Sequence, residues 1–196
     1  MNTQHWILFA LWVLYSAWHS LLADARVKEW FNQFTGEGFR YYRLIYSLFA
    51  AITLILLLWY QFSIPSFAFY TSTIARFVLS ILLILPGIVI MIICIRKYFY
   101  DLSGIQALQK DRPAITPTLQ QNGLHRLVRH PLYFGTLLFV WGLLVMFPIL
   151  SNFIAAIVLT VYVIIGIQLE EKKLLLEYGD EYREYSKKVP KLIPKF

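Results

Sequence analysis

The stretch RLVRHPLYFG at residues 126–135 sets Arg126, Arg129 and His130 against the start of an apolar run, with Pro131 next in line. A residue before proline is biased away from helical geometry, and proline is tolerated at the first position of a helix, so a helix is expected to begin at Pro131. The free N–H groups and partial positive charge of that helix end, flanked by Arg129 and His130, make an anion site. Arg126 reads as simple topogenic charge. Gly135, after Tyr133, lets a ligand or another backbone come close. A second constellation, GIQLEEKKLLLEYGDEYREY, places Glu170 and Glu171 directly after a long apolar segment. Acids are mildly disfavoured at a helix C-terminus, and an i,i+3 pair such as Glu170–Lys173 contributes only ~0.2–0.5 kcal/mol. One of the two glutamates is therefore expected to receive a cation from elsewhere. An anion site facing a cation site suits a zwitterion, an amino-acid-headed cofactor with its carboxylate towards Arg129 and His130 and its ammonium towards Glu170. Tyr178, Tyr182 and Tyr185, beyond Gly179, supply aromatic faces that hold a positive sulfonium or simply anchor an interfacial helix.

These groups need elements to position them. Of the 196 residues, 59% are hydrophobic, and the apolar residues form runs long enough to cross a bilayer rather than a soluble core. The expected fold is an all-α polytopic membrane protein of about five transmembrane helices, near 5–23, 43–62, 73–95, 132–148 and 151–169. A C-terminal helical hairpin and an amphipathic tail complete it. The fourth span is short for a hydrocarbon core that usually needs ~20 residues. Pro86-Gly87 predicts a kink in the third. Only PILSN separates the fourth and fifth spans, so they run antiparallel and residues 130 and 170 reach the same membrane level. The chain divides into an N-terminal three-helix part, 1–95, and a part at 96–196 with loop, hairpin and tail, in one integral domain.

All but Arg76 of the 18 lysines and arginines fall in three segments, 24–43, 96–129 and the tail after 169. Five spans put all three on one face, which the positive-inside rule makes cytoplasmic, with the N-terminus outside. The net charge of +7 is thus topogenic, in contact with the lipid bilayer, and no nucleic-acid partner is expected. The first span is read as a retained helix, because MNTQH carries no basic residue ahead of it. One cysteine, Cys94, excludes a disulfide framework, and no metal site is expected. His19, inside the first span, is a candidate haem ligand, substrate contact or helix–helix hydrogen bond.

NGLHRLVRHPLYFG, a tight hairpin, and EEKKLLLEYGDEYREYSKKVPKLIP together resemble the integral-membrane methyltransferases of the isoprenylcysteine carboxyl and phospholipid methyltransferase group. WHSLLADARVKEWF, YYRLIY and DLSGIQ look more like the bacterial methanethiol S-methyltransferases and their NnrU-type relatives. The resemblance implies S-adenosylmethionine as cofactor and a bacterial or archaeal cell membrane. It marks Thr118, Leu119, His125, His130, Pro131, Leu132, Tyr133 and Glu170 as cofactor contacts, to which the charge pattern adds Arg129 and Glu171. His125 stands where the family commonly has tyrosine. Gly166 stands where the isoprenylcysteine enzymes carry a substrate-binding arginine, so a small or lipophilic acceptor such as a thiol is expected in place of a prenylated carboxylate. Leu132 and Thr136 depart from the sterol-reductase pattern and speak against nicotinamide binding. No general base is assigned, and a monomer is expected. The alternative is an NnrU-type haem-binding or non-enzymatic protein; those relatives lack the paired glutamates.

Overall fold

A computed structural model describes residues 2–71, 73–103 and 118–194. The remainder of the 96–129 loop, with Lys110, Arg112 and the end of the DLSGIQ segment, lies outside the described residues. The helices are α1 (Thr3–Ala23), α2 (Ala25–Thr35), α3 (Tyr42–Ser63), α4 (Ile74–Ser103), α5 (Pro131–Met146) and α6 (Leu150–Lys188), with 3-10 turns at Gly36–Tyr41 and Gly123–Arg126. Among the described residues the one β feature is an isolated bridge between Ala68 and Ile149. Four helices are long and apolar enough to cross a membrane, and α5 is a shorter apolar helix. At 1.5 Å per residue, its 16 residues rise about 24 Å, short of a ~30 Å hydrocarbon core, as its sequence indicated. Large apolar side chains such as Trp59, Ile74 and Leu82 stand exposed along these helices, which is the surface a bilayer covers.

The chain forms two units, one of residues 1–67 and 97–114, the other of 68–96 and 115–196. In the first, α1 and α3 run antiparallel and are tied by polar side chains. Trp12 Nε1 donates to Gln61 Oε1 at 2.8 Å. The Tyr46 hydroxyl meets the His19 ring nitrogens at 3.0 and 3.2 Å, and Tyr15 stacks on the same imidazole. His19 thus makes the helix–helix hydrogen bond that was one of its three expected roles.

In the second unit, α4 runs on through Pro86. A Cβ on Gly87 would stand 2.8 Å from both Gly135 O and Phe139 N, and one on Gly142 would stand 2.7 Å from Ile84 Cγ1. The glycines of α4 and α5 let the two backbones meet, as small residues do between membrane helices. The close approach foreseen at Gly135 is therefore that of another backbone. The α5–α6 turn is tight: Ile149 N donates to Phe147 O at 2.8 Å, and the Asn152 side chain donates to the same carbonyl at 2.9 Å. This turn makes α5 and α6 an antiparallel pair.

Candidate functional site

The site lies where α5 begins and α6 leaves its apolar stretch. His130 has φ −121° and ψ 66°, outside helical geometry, and Pro131 opens α5. Proline disfavours helical geometry in its predecessor, and His130 is non-helical, with a ψ that stops short of the fully extended range. α6 continues far beyond the apolar residues and bends at Gly179, φ +53° and ψ −122°, a region that side chains other than glycine rarely enter. Beyond the bend Tyr182 and Tyr185 are buried. The Tyr185 hydroxyl donates to His125 O at 2.7 Å, so this tyrosine packs the tail against the chain ahead of α5 and does not serve as an interfacial anchor.

After α6, the chain at 189–191 crosses the entry to α5. Arg129 N donates to Pro190 O at 2.9 Å and His130 N donates to Lys191 O at 3.1 Å. Two backbone donors at the foreseen anion site are thus occupied by tail carbonyls. The Arg129 side chain is similarly engaged. Nε donates to Glu171 Oε1 at 2.9 Å, one terminal nitrogen bonds the same oxygen, and the other donates to Ser186 O at 2.8 Å and Val189 O at 2.6 Å. The last turn of α6 leaves carbonyls without helical partners, and the guanidinium supplies donors to two of them. Glu171 Oε2 accepts from Lys191 Nζ at 2.8 Å.

His130, buried at 4% exposure, lies between the two glutamates. Nε2 is 3.4 Å from Glu171 Oε1 and Nδ1 is 3.5 Å from Glu170 Oε2. Tyr133 tilts against the His130 ring at 5.8 Å. Its hydroxyl lies over Gly166, where an added Cβ would sit 3.6 Å away, and beside the Glu170 carboxylate. Burial works against ionisation of both glutamates, which stand beyond the apolar part of α6. For Glu171 it is outweighed by Lys191 and Arg129, and for Glu170 by His130 and Tyr133, so both carboxyls sit below their ordinary range.

The structure therefore brings together Arg129, His130, Tyr133, Glu170 and Glu171 from the expected set. Neither glutamate forms an ion pair with Lys172 or Lys173 among the described residues. Pro131 is buried at the head of α5 and Leu132 is half-buried. His125 lies one step back, its Nδ1 3.1 Å from Arg129 O. Thr118 is exposed and Leu119 half-buried, and neither contributes a hydrogen bond or ion pair to the cluster. Sequence reasoning missed Lys191, Tyr185 as a clasp and the tail carbonyls. Pro190 signals an extended stretch after α6, but nothing marks Lys191 among the basic residues of the tail.

A family described as "Protein of unknown function (DUF1295)" matches residues 1–189. The methanethiol S-methyltransferase 1 of Bradyrhizobium diazoefficiens is 31% identical over 189 residues, 94% of this chain and 65% of that protein. The methanethiol S-methyltransferase of Pseudomonas deceptionensis is 30% identical over 185 residues, 92% of this chain and 69% of that protein. The protein-S-isoprenylcysteine O-methyltransferase of Schizosaccharomyces pombe is 31% identical over 111 residues, 52% of this chain and 46% of that protein. This chain thus spans about two thirds of the length of the methanethiol enzymes it matches. No solved structure matches it.

Proposed function

The chain belongs to the DUF1295 family and is a relative of the methanethiol S-methyltransferases, and from that premise we propose that it is an integral-membrane methyltransferase that uses S-adenosylmethionine and acts on a small thiol. One observation carries the site assignment. Glu171 holds both an arginine and a lysine, whereas Glu170, one position earlier and 44% exposed, holds neither among the described residues. Its nearest basic group among the described residues is the His130 imidazole, at 3.5 Å. A carboxylate kept ionised, without a permanent cation and at the cytoplasmic end of a membrane helix, fits an ammonium group.

The donor set suits an amino-acid-headed cofactor. Glu170 would hold its ammonium, with His130 and Tyr133 fixing the carboxylate from either side. Pro131 and Leu132 would form the floor at the start of α5. His125, Thr118 and Leu119 complete the site in this reading, while Arg129 and Glu171 hold it together. The bound cofactor supplies a methyl group on a sulfonium. The chain supplies position and exclusion of water, the main levers for an in-line displacement. The acceptor must lose its proton, since the thiolate is the nucleophile. The basic residues of the loop and tail support a cytoplasmic face for this end of the unit, and in this reading the N-terminus is outside. Cofactor then enters from the cytoplasm, and a lipophilic acceptor enters through the bilayer. Every group of the cluster comes from one chain, so a monomer suffices.

The test is calorimetry of S-adenosylmethionine binding in detergent, followed by incubation of labelled cofactor with a panel of small thiols and lipids. Wild-type protein is expected to bind cofactor and release a volatile labelled thioether. Glu170→Gln is expected to weaken binding by at least about tenfold, the loss of one charge-assisted hydrogen bond. Cofactor affinity that is absent in the wild type, or unchanged in Glu170→Gln, would overturn the reading.

A further inference from the structure

Lys191 touches the cluster twice. Its side chain bonds Glu171 Oε2 at 2.8 Å, and its carbonyl accepts from His130 N at 3.1 Å. The lysine side chain is 55% exposed, against 15% for Glu171 and 7% for Arg129. It is therefore the outermost member of a chain of contacts that runs from Lys191 through Glu171 to the buried His130 and back out to Glu170. Each link touches the next: Glu171 Oε1 lies 3.4 Å from His130 Nε2, and Glu170 Oε2 lies 3.5 Å from His130 Nδ1. One buried imidazole serves two carboxylates, and its share with Glu171 depends on how well Glu171 is satisfied by others.

We propose that Lys191 is a positioning residue: by satisfying the outer oxygen of Glu171 it leaves the His130 imidazole free to orient Glu170 for the ammonium of an amino-acid-headed ligand. This deepens the proposed function and rests on it. Without the lysine, Glu171 keeps Arg129 and draws harder on His130, at the expense of Glu170. The fold is not at stake, because Arg129 still ties Glu171 to Ser186 and Val189. The charged and titratable groups facing Glu171 are Arg129 and His130 from the entry to α5, Lys191 from the tail, Glu170 beside it and Tyr182 from the far part of α6. Removing Lys191 takes away one of the two permanent cations and raises the pH at which Glu171 takes up a proton.

The experiment compares Lys191→Met, Lys191→Arg and Glu170→Gln in the full chain, reading S-adenosylmethionine affinity by calorimetry across pH, thiol KM and melting temperature. Lys191→Met is expected to weaken cofactor binding about fivefold, the scale of one partly exposed charge pair. Its acid limb of binding moves to higher pH, while thiol KM and melting temperature hold. Lys191→Arg restores both affinity and pH profile. Unchanged affinity in Lys191→Met, with Glu170→Gln impaired, overturns the role of Lys191 and leaves the proposed function standing. A fall in affinity that tracks a fall in melting temperature, with no movement of the acid limb, makes Lys191 merely structural and also overturns it. Absence of binding in the wild type removes the proposed function itself.

Discussion

Replacing Arg129 with methionine removes, in one step, the donors to Glu171, Ser186 O and Val189 O. The aliphatic stem is kept, so the effect is one of charge and hydrogen bonds rather than volume. Removing one partner of a buried ion pair costs about 3–5 kcal/mol, because the other charge is left uncompensated. Lys191 remains on Glu171, which puts the expected loss at the low end, about 3 kcal/mol, or about a hundredfold in the equilibrium that opens the tail. The opening is local, since the α4–α5 contacts do not involve this residue. Hydrogen–deuterium exchange in nanodiscs reads it directly. The amides at positions 129 and 130, bonded to Pro190 O and Lys191 O, are expected to lose about a hundredfold of protection. Those within α5 hold theirs. The double variant Arg129→Met, Glu171→Gln separates the charge effect from the rest. Removing the stranded carboxylate should restore part of the loss, so the two substitutions are expected to be non-additive. Unaltered protection in Arg129→Met, or strict additivity in the cycle, would show that the guanidinium does not hold the tail.

Two further outcomes concern the helix packing and the acid end of the pH range. Gly87→Ala should destabilise the detergent-solubilised protein by about 1–3 kcal/mol through overpacking, since the new methyl meets backbone atoms at 2.8 Å; Gly166→Ala, with its nearest contact at 3.6 Å, should be neutral or slightly stabilising, as thermal unfolding of the pair will report. Glu171 has its carboxyl pKa lowered in the folded protein, so its contribution is fully present above the ordinary value of 4.5 and is lost as the pH falls through the lower folded value. Protease resistance of the tail should therefore weaken on acidification below that value, and Glu171→Gln should flatten this acid dependence.

The hairpin was legible in the sequence because five residues cannot span a gap between parallel helices, and that alone brought residue 130 level with residue 170. Pro131 as a helix start was equally legible, since proline fixes its own φ and restricts its predecessor. The division of labour between the glutamates was not. The sequence shows two adjacent acids and several basic residues, and which carboxylate takes the permanent cations depends on a rotation of about 100° per residue around α6 together with the bend at Gly179. The return of the tail was invisible for a different reason. Its contacts with Arg129 and His130 are made by backbone carbonyls, which every residue carries. In the sequence Arg129 reads as half of an anion site for a ligand carboxylate, facing an acidic cluster; in the structure its guanidinium is bonded to Glu171 and to the end of its own chain.

The glycines where α4 meets α5 have a consequence for motion. Where Gly87 meets the α5 backbone, no side chain stands between the helices to rearrange, so that flank acts as a fixed wall. The tail is fastened in another way, by hydrogen bonds to Arg129 and His130 that water can replace, beyond the bend at Gly179. One flank of α5 is thus set by close packing, and its entry by exchangeable polar bonds.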